Sequence, residues 1–496
     1  MKTQRFDVLS QAEVERIDAA SMEILSEVGI QVNYGKAREI YREAGAEIDG
    51  ETNAVKIPEK LVRWAVDQAP EEFSLFGRDA KFYFDIGGEQ EVPVFAGLGT
   101  PTRIIDIDSG EVRASTYQDV LEHIILISAS ENIHNTQMDV WPNDILMTTI
   151  HTEAIWAWAQ NSRKSFGMGC YGYLPTRDMM RMMAIAVGGK EELKKRPRFM
   201  MICSVVSPLQ MDQAQAEGLL ITAEYGQPLA ISPEAIAGAT APVTMAGLLA
   251  QANANILAHI TLAQIFRPGT PVFYGTVSTV SNMQHGTVAL GAPETGLITA
   301  GSAQLARHYG LPIRSVGGTT ESKRPDLQAG FERMGTLLPA VLAGVNLITC
   351  AGTLDGTMLE DHAMLVLDDE ICGAALRMAR GIEVTDESLA LDVIKKVGFT
   401  GNYLTEDHTF DLFRKELFIP KLFSREPYDA WEEGGHKLAI DHAKERAREI
   451  LANHKPIELD PVITKELNRF RQSVAERSIE DFYLYETEEK QDYENL

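Results

Sequence analysis

Little in this sequence is basic and little of it is sulfur. Lys and Arg number 46 against 71 Asp and Glu, a formal charge of −25 over 496 residues. So negative a balance repels nucleic acid and anionic membrane and argues against both as partners. The four cysteines, Cys170, Cys203, Cys350 and Cys372, form no CxxC pair and are too few for a disulfide framework. Cys170, Cys203 and Cys350 fall at or near predicted strand ends but lack metal-site spacing, so no metal is expected. No run approaches the ~20 apolar residues of a membrane span. The opening MKTQRFDVLS lacks the apolar core of a secretory signal, and a cytoplasmic location is expected. GGTT at 317–320 fits neither GxGxxG nor GKT, which speaks against a nucleotide cofactor held by its own Rossmann domain. No Ser–His–Asp order is evident.

What is present is the composition of a soluble globular protein, 45% hydrophobic and 24% charged. Ser10 with Glu13 makes a capping box ahead of a helical pattern that Gly29 stops. Two further helices, about 36–44 and 58–69, complete an N-terminal helical region over 1–90. Short β runs follow at 82–86, 92–96 and 102–107. Strands then alternate with helix-length segments: 133–140, 165–170, 199–206, 229–232, 272–276, 313–316 and 347–351. With 92–96 as the first, eight near-continuous apolar strands predict an α/β fold, a (β/α)8 TIM barrel over 91–385 with N-terminal and C-terminal helical additions. A doubly wound sheet shares the local pattern; the count of eight favours the barrel. Residues 386–496 form a C-terminal helical region whose acid–base pairs along 436–453 read as a solvated face. The acidic end, 479–496, reads as a mobile or surface arm.

Barrel chemistry sits at the C-terminal ends of the strands. Those ends carry the aromatics Phe95, Trp141, Tyr171, Tyr173 and Tyr274, and the carboxylates Asp139, Glu234, Asp355 and Glu360. Rings beside a carboxylate suit a quaternary ammonium, through cation–π attraction; rings in that place also serve packing alone. His285 and His362 are the two histidines near the mouth, each read first as a hydrogen-bonded structural residue. The seventh strand leads into GGTTESKRPD, where a glycine stop and hydroxyls precede the next helix.

Several stretches carry a family likeness: ASMEILSEVGIQV, TNAVKIPEKLVRWA, SPL at 207–209, LAQIFRPGTPVFYG and GAPETGLITA, then YGLPIRSVGGTTESKRPDLQAG, LLPAVLAGVNLITCAG and SLALDVIKKVG. In this order and spacing the chain resembles the trimethylamine methyltransferase family, in its branch without pyrrolysine. The resemblance puts Thr319 at the position of that residue, and nothing in the stretch can form the imine-based adduct attributed to it. It therefore implies a quaternary amine, glycine betaine or a related betaine, demethylated onto the Co(I) of a corrinoid carried by a partner protein, with none bound covalently to this chain. A quaternary nitrogen is already a good leaving group, so the protein's task is orientation and water exclusion.

The residues expected at the reaction are Thr319, Glu234 and Asp355, with Phe95, Tyr171, Tyr274, Arg314, His285 and Glu360 around the substrate. Arg314 either holds the substrate carboxylate or pairs with an acid such as Glu321. The likeness also implies a homo-oligomer. Two other readings are a zinc-dependent barrel methyltransferase for a thiol or alcohol, and a barrel that binds betaines without turnover.

Overall fold

The computed structural model describes residues 5–88, 90, 92–480 and 491–493. Its centre is a closed eight-stranded barrel. The strands are β1 (Val94–Gly97), β2 (Ile133–Gln137), β3 (Ser165–Gly169), β4 (Phe199–Val205), β5 (Leu229–Pro233), β6 (Val272–Thr276), β7 (Ile313–Val316) and β8 (Leu347–Ala351). Each pairs in parallel with its chain neighbours, and β8 closes onto β1. One long helix follows each strand: α1 (Tyr117–Ala129), α2 (Ile150–Asn161), α3 (Tyr173–Val187), α4 (Gln213–Glu224), α5 (Met245–Phe266), α6 (Pro293–His308), α7 (Leu327–Ala343) and α8 (His362–Arg380). The barrel, and not the doubly wound sheet, is the outcome.

Side chains alternate along each strand, so every second residue faces the barrel axis. At the lower end Val94, Met200, Phe273 and Leu347 meet Leu75 and Ile86 of an antiparallel hairpin, Glu72–Phe76 with Tyr83–Gly87. Phe73 packs edge-on against Phe273, ring centres 5.1 Å apart, and the hairpin plugs the bottom. Apolar filling stops there. Higher up, the interior turns polar with Asn135, Gln137, Arg314 and Thr349, which leaves the upper end for chemistry.

The capping box forms as expected, the Ser10 amide donating to Glu13 Oε2 at 2.8 Å. The N-terminal helices lie on α5. Tyr41 donates to the Ala258 carbonyl at 2.7 Å and Ser21 to that of Ala250 at 2.9 Å. This layer explains why α5 is apolar or small on every side: it is covered by the barrel below and by these helices above. Helix Ala439–Asn453 turns Ala443 and Ala447 inward and keeps its charges outside, with Lys437 to Glu445 at 2.6 Å. Of the acidic end, 481–490 and 494–496 lie outside the described residues. Of the mobile or surface arm expected there, residues 491–493 lie against the outside of α3. Tyr493 packs against Tyr173, ring centres 5.3 Å apart, and the Asp492 amide donates to the Tyr173 hydroxyl at 2.8 Å. No helix among the described residues is long and apolar enough to cross a membrane.

Candidate active site

A cavity of about 560 Å³ opens at the C-terminal ends of the strands. Gln137 and Asp139 line it from β2 and its extension, Gly169–Tyr171 from β3, Ser204 from β4, Glu234 just past β5 and Arg314 from β7. Thr357 and Met358, in the hairpin after β8, form part of the rim. Another cleft, of about 710 Å³, lies below the barrel beside the end of α8, where Arg377 and Arg380 both face Glu416 at 3.6 Å.

Three charges meet in the upper cavity. Arg314 is 3% exposed, and its Nε and Nη1 have no acceptor among the described residues. Leaving such N–H groups dry costs ~1–3 kcal/mol, which a bound carboxylate would offset. Burial lowers the Arg314 pKa to about 10, against the opposing charges of Glu234 and Asp139. At that value the guanidinium is still charged near neutral pH. Glu321 accepts from the Gly291 amide at 2.8 Å instead of pairing with Arg314. Glu234 projects into the open cavity, so its side chain is reachable by solvent, yet the surrounding protein raises its pKa by desolvation, partly offset by Arg314. The Tyr171 ring stands on the same wall, with Trp141 edge-on behind it at 5.9 Å.

Asp139 is anchored from behind. Its Oδ2 lies 3.1 Å from His123 Nε2, and His123 Nδ1 lies 2.9 Å from Glu360 Oε1. Burial alone would depress the imidazole pKa; the Glu360 charge and the Asp139 bond outweigh it and raise the pKa to about 10. Room for this row depends on Gly97. A Cβ there would come within 1.9 Å of Asp139 Oδ2 and 3.2 Å of His123 Nε2.

The structure brings Glu234, Tyr171 and Arg314 together in the cavity and places the other expected residues elsewhere. Phe95 has the opposite strand parity to Val94 and Ala96; it faces the helices and its amide donates to His134 Nδ1 at 3.3 Å. Tyr274 likewise points outward, donating to Asn253 of α5 at 3.0 Å and stacking on Tyr309. The expected three-ring cage is thus corrected to one lining ring, Tyr171, backed by Trp141. Thr319 is buried, and its hydroxyl donates to the Leu290 carbonyl at 2.6 Å. Asp355 sits at positive φ in the rim hairpin and pairs with Lys323 at 3.1 Å. Glu360 lies one layer back, behind His123, and His285 is on an exposed turn between strands Thr279–Asn282 and Thr287–Ala289. Asp139 was visible among the strand-end carboxylates but was not singled out. Asn135, Gln137 and Asp139 share one strand face, but His134 and Thr136 between them are polar too, so no alternation in the sequence singles Asp139 out. His123 carries no local sign either.

Residues 1–478 match the family model described as "Trimethylamine methyltransferase (MTTB)". A "Glycine betaine methyltransferase" of Desulfitobacterium hafniense (strain Y51) is 36% identical over 481 residues, 96% of this chain and 98% of the relative. A "Trimethylamine methyltransferase MttB" of Methanosarcina barkeri (strain Fusaro) is 36% identical over 469 residues, 92% of each. Among solved structures, the Methanosarcina barkeri monomethylamine methyltransferase superposes with a TM-score of 0.53 at 10% identity, covering 90% of this chain and 89% of that one, a likeness of fold alone.

Proposed function

The chain belongs to the trimethylamine methyltransferase family, and from that premise we propose that its upper cavity takes a quaternary amine bearing a carboxylate, glycine betaine or a close relative. One N-methyl group then passes to the Co(I) of a corrinoid carried by a separate protein. The observation that carries the substrate class is Arg314: a buried guanidinium with two unpartnered N–H groups, in a cavity that also holds Glu234 and Asp139. An acidic pair beside a single cation suits a zwitterion, its carboxylate on the Arg314 fork and its ammonium toward Glu234, Asp139 and the Tyr171 face.

The C–N bond breaks with its electron pair left on nitrogen, so the amine departs neutral and no proton is needed from the protein. When bound, the corrinoid supplies the nucleophile for the methyl carbon. The chain's residues hold the carboxylate, orient the ammonium and exclude water. Positive charge on nitrogen falls in the transition state, so carboxylates in close contact with it would favour the ground state. A cavity near 560 Å³ is sized for a small ligand, and the macrocycle would therefore sit over the mouth, on its carrier.

Neither rival reading draws support from the geometry. Zinc chemistry through cysteine would need the thiols to converge. Cys350 and Cys372 pair with each other at 3.5 Å, and no group of possible metal ligands among the described residues contains a cysteine. A barrel that only binds would not share its full length with methyltransferases. We also read the chain as a homo-oligomer, a reading supported by the apolar side chains it exposes in the 382–428 stretch, among them Phe399, Leu404 and Phe410; sedimentation velocity decides it.

The test is cobalt absorbance of a reduced corrinoid protein incubated with the enzyme and a panel of methylated amines. Glycine betaine and related betaines should convert Co(I) to methyl-cobalt, with the demethylated amine appearing in equal amount. Preference for trimethylamine, or for quaternary amines lacking a carboxylate, would overturn the assignment.

A further inference from the structure

Behind Asp139 lies a cluster that the methyl transfer above does not use. His123 of α1, Glu360 of the hairpin after β8, and His362, the first residue of α8, place one ligand atom each within 4.8 Å of one another, all three side chains buried. Glu360 Oε2 and His362 Nε2 have no hydrogen-bond partner among the described residues. Two such lone pairs left dry and close together are costly unless something binds them.

The remaining ring nitrogens are already held by carboxylates. His123 Nε2 faces Asp139 at 3.1 Å, and His362 Nδ1 faces Glu122 at 3.5 Å. A histidine whose outer nitrogen donates to a carboxylate presents its inner nitrogen as a metal ligand, and orienting carboxylates of this kind accompany metal-bound imidazoles. Three carboxylates around two imidazoles leave the cluster negative without a cation.

We propose that His123 Nδ1, His362 Nε2 and the Glu360 carboxylate bind one divalent transition-metal ion, of the zinc class by their donor set. Bonds near ~2.1 Å set ligand atoms about 3.4 Å apart in a tetrahedral site, so a spread within 4.8 Å closes with shifts of about an ångström. Glu360 has two oxygens to offer, which brings the donor atoms to four. The ion would replace the proton between His123 and Glu360 and would set the position of Asp139 at the cavity wall through the His123 ring. It is a positioning site: no open face of it reaches the substrate cavity, and none of its three ligands lines that cavity.

Metal analysis of the full-length protein, purified from zinc-supplemented medium and washed free of loose ions, is expected to give about one ion per chain. After chelation and reloading, Co2+ should restore that stoichiometry and develop visible d–d bands without thiolate charge-transfer absorption. His362→Ala and Glu360→Gln, checked for folding by circular dichroism, should lose the ion at least tenfold, while His285→Ala on its exposed turn should keep it. Wild-type protein that holds no stoichiometric ion under either protocol overturns the site, and so does metal content that both variants retain. The readout does not depend on which amine is demethylated, so it can fail independently of the substrate assignment.

Discussion

Replacing Arg314 by Ala separates a carboxylate-binding role from a structural one. Its Nε and Nη1 are both buried and unpartnered; they lie on different edges of the guanidinium, so a carboxylate that reaches two donors takes one of them together with Nη2. A hydrogen bond to a charged group contributes ~1.5–3 kcal/mol, and two made together, not fully additive, about 2–4 kcal/mol. At 1.36 kcal/mol per tenfold, kcat/KM for glycine betaine should fall roughly 30- to 1,000-fold, mostly in KM. Tetramethylammonium has the same cationic head and no carboxylate. Removing a buried positive charge from its neighbourhood should leave its KM unchanged or lower, within about threefold, since like charges repel at short range. Arg314→Lys should recover part of the betaine loss, because it returns the charge and not the fork. The assay is the initial rate of methyl-cobalt formation across a substrate series, for wild type and both variants. Equal losses for the two substrates would mean that Arg314 shapes the cavity without touching a carboxylate, and the betaine assignment would lose its main support.

Burial holds the Glu234 pKa above the ordinary 4.5; its carboxylate form, which attracts the ammonium, is lost as pH falls through that raised value. kcat/KM should therefore drop on the acid side, and Glu234→Gln should flatten that limb of the pH profile while lowering the plateau; an acid limb unchanged in the variant would exclude Glu234. Gly97→Ala drives a methyl group to 1.9 Å from Asp139 Oδ2; it should cost about 1–3 kcal/mol in urea unfolding and depress kcat/KM by displacing Asp139, and wild-type activity would show that Asp139 is not needed in place. Thr319→Val removes the hydroxyl that binds the Leu290 carbonyl. It should cost ~1–2 kcal/mol of stability with kcat/KM held within about threefold; a collapse of turnover in folded protein would return Thr319 to the reaction.

The strand and helix order was legible because most barrel strands are short runs of apolar or small residues, and such runs are a local property of the chain. Barrel over doubly wound sheet followed from counting those runs to eight. The site was less legible. Phe95, Tyr171 and Tyr274 look alike in the sequence, each an aromatic near a strand end, and only Tyr171 reaches the cavity. Parallel strands buried on both faces show little polar alternation, so inward and outward residues have the same composition and the parity of a ring is hidden. β2 hides its parity equally: His134, Asn135, Thr136 and Gln137 are all polar, and their alternation between the two faces cannot be read from residue type.

Residue identity and local period thus set the elements, their order, the acidic surface and the short list of charges at the strand ends. Tertiary closure decided which charges meet. Asp139, His123 and Glu360 come from segments up to 237 residues apart, and His123 lies within hydrogen-bonding distance of both carboxylates; Glu321, seven residues on from Arg314, accepts from the Gly291 amide instead of neutralising it. The reason is that hydrophobic burial, which folds the barrel, is non-directional and readable from composition. Pairing of buried charges depends on ångström-scale convergence of distant backbone, and no local pattern encodes that.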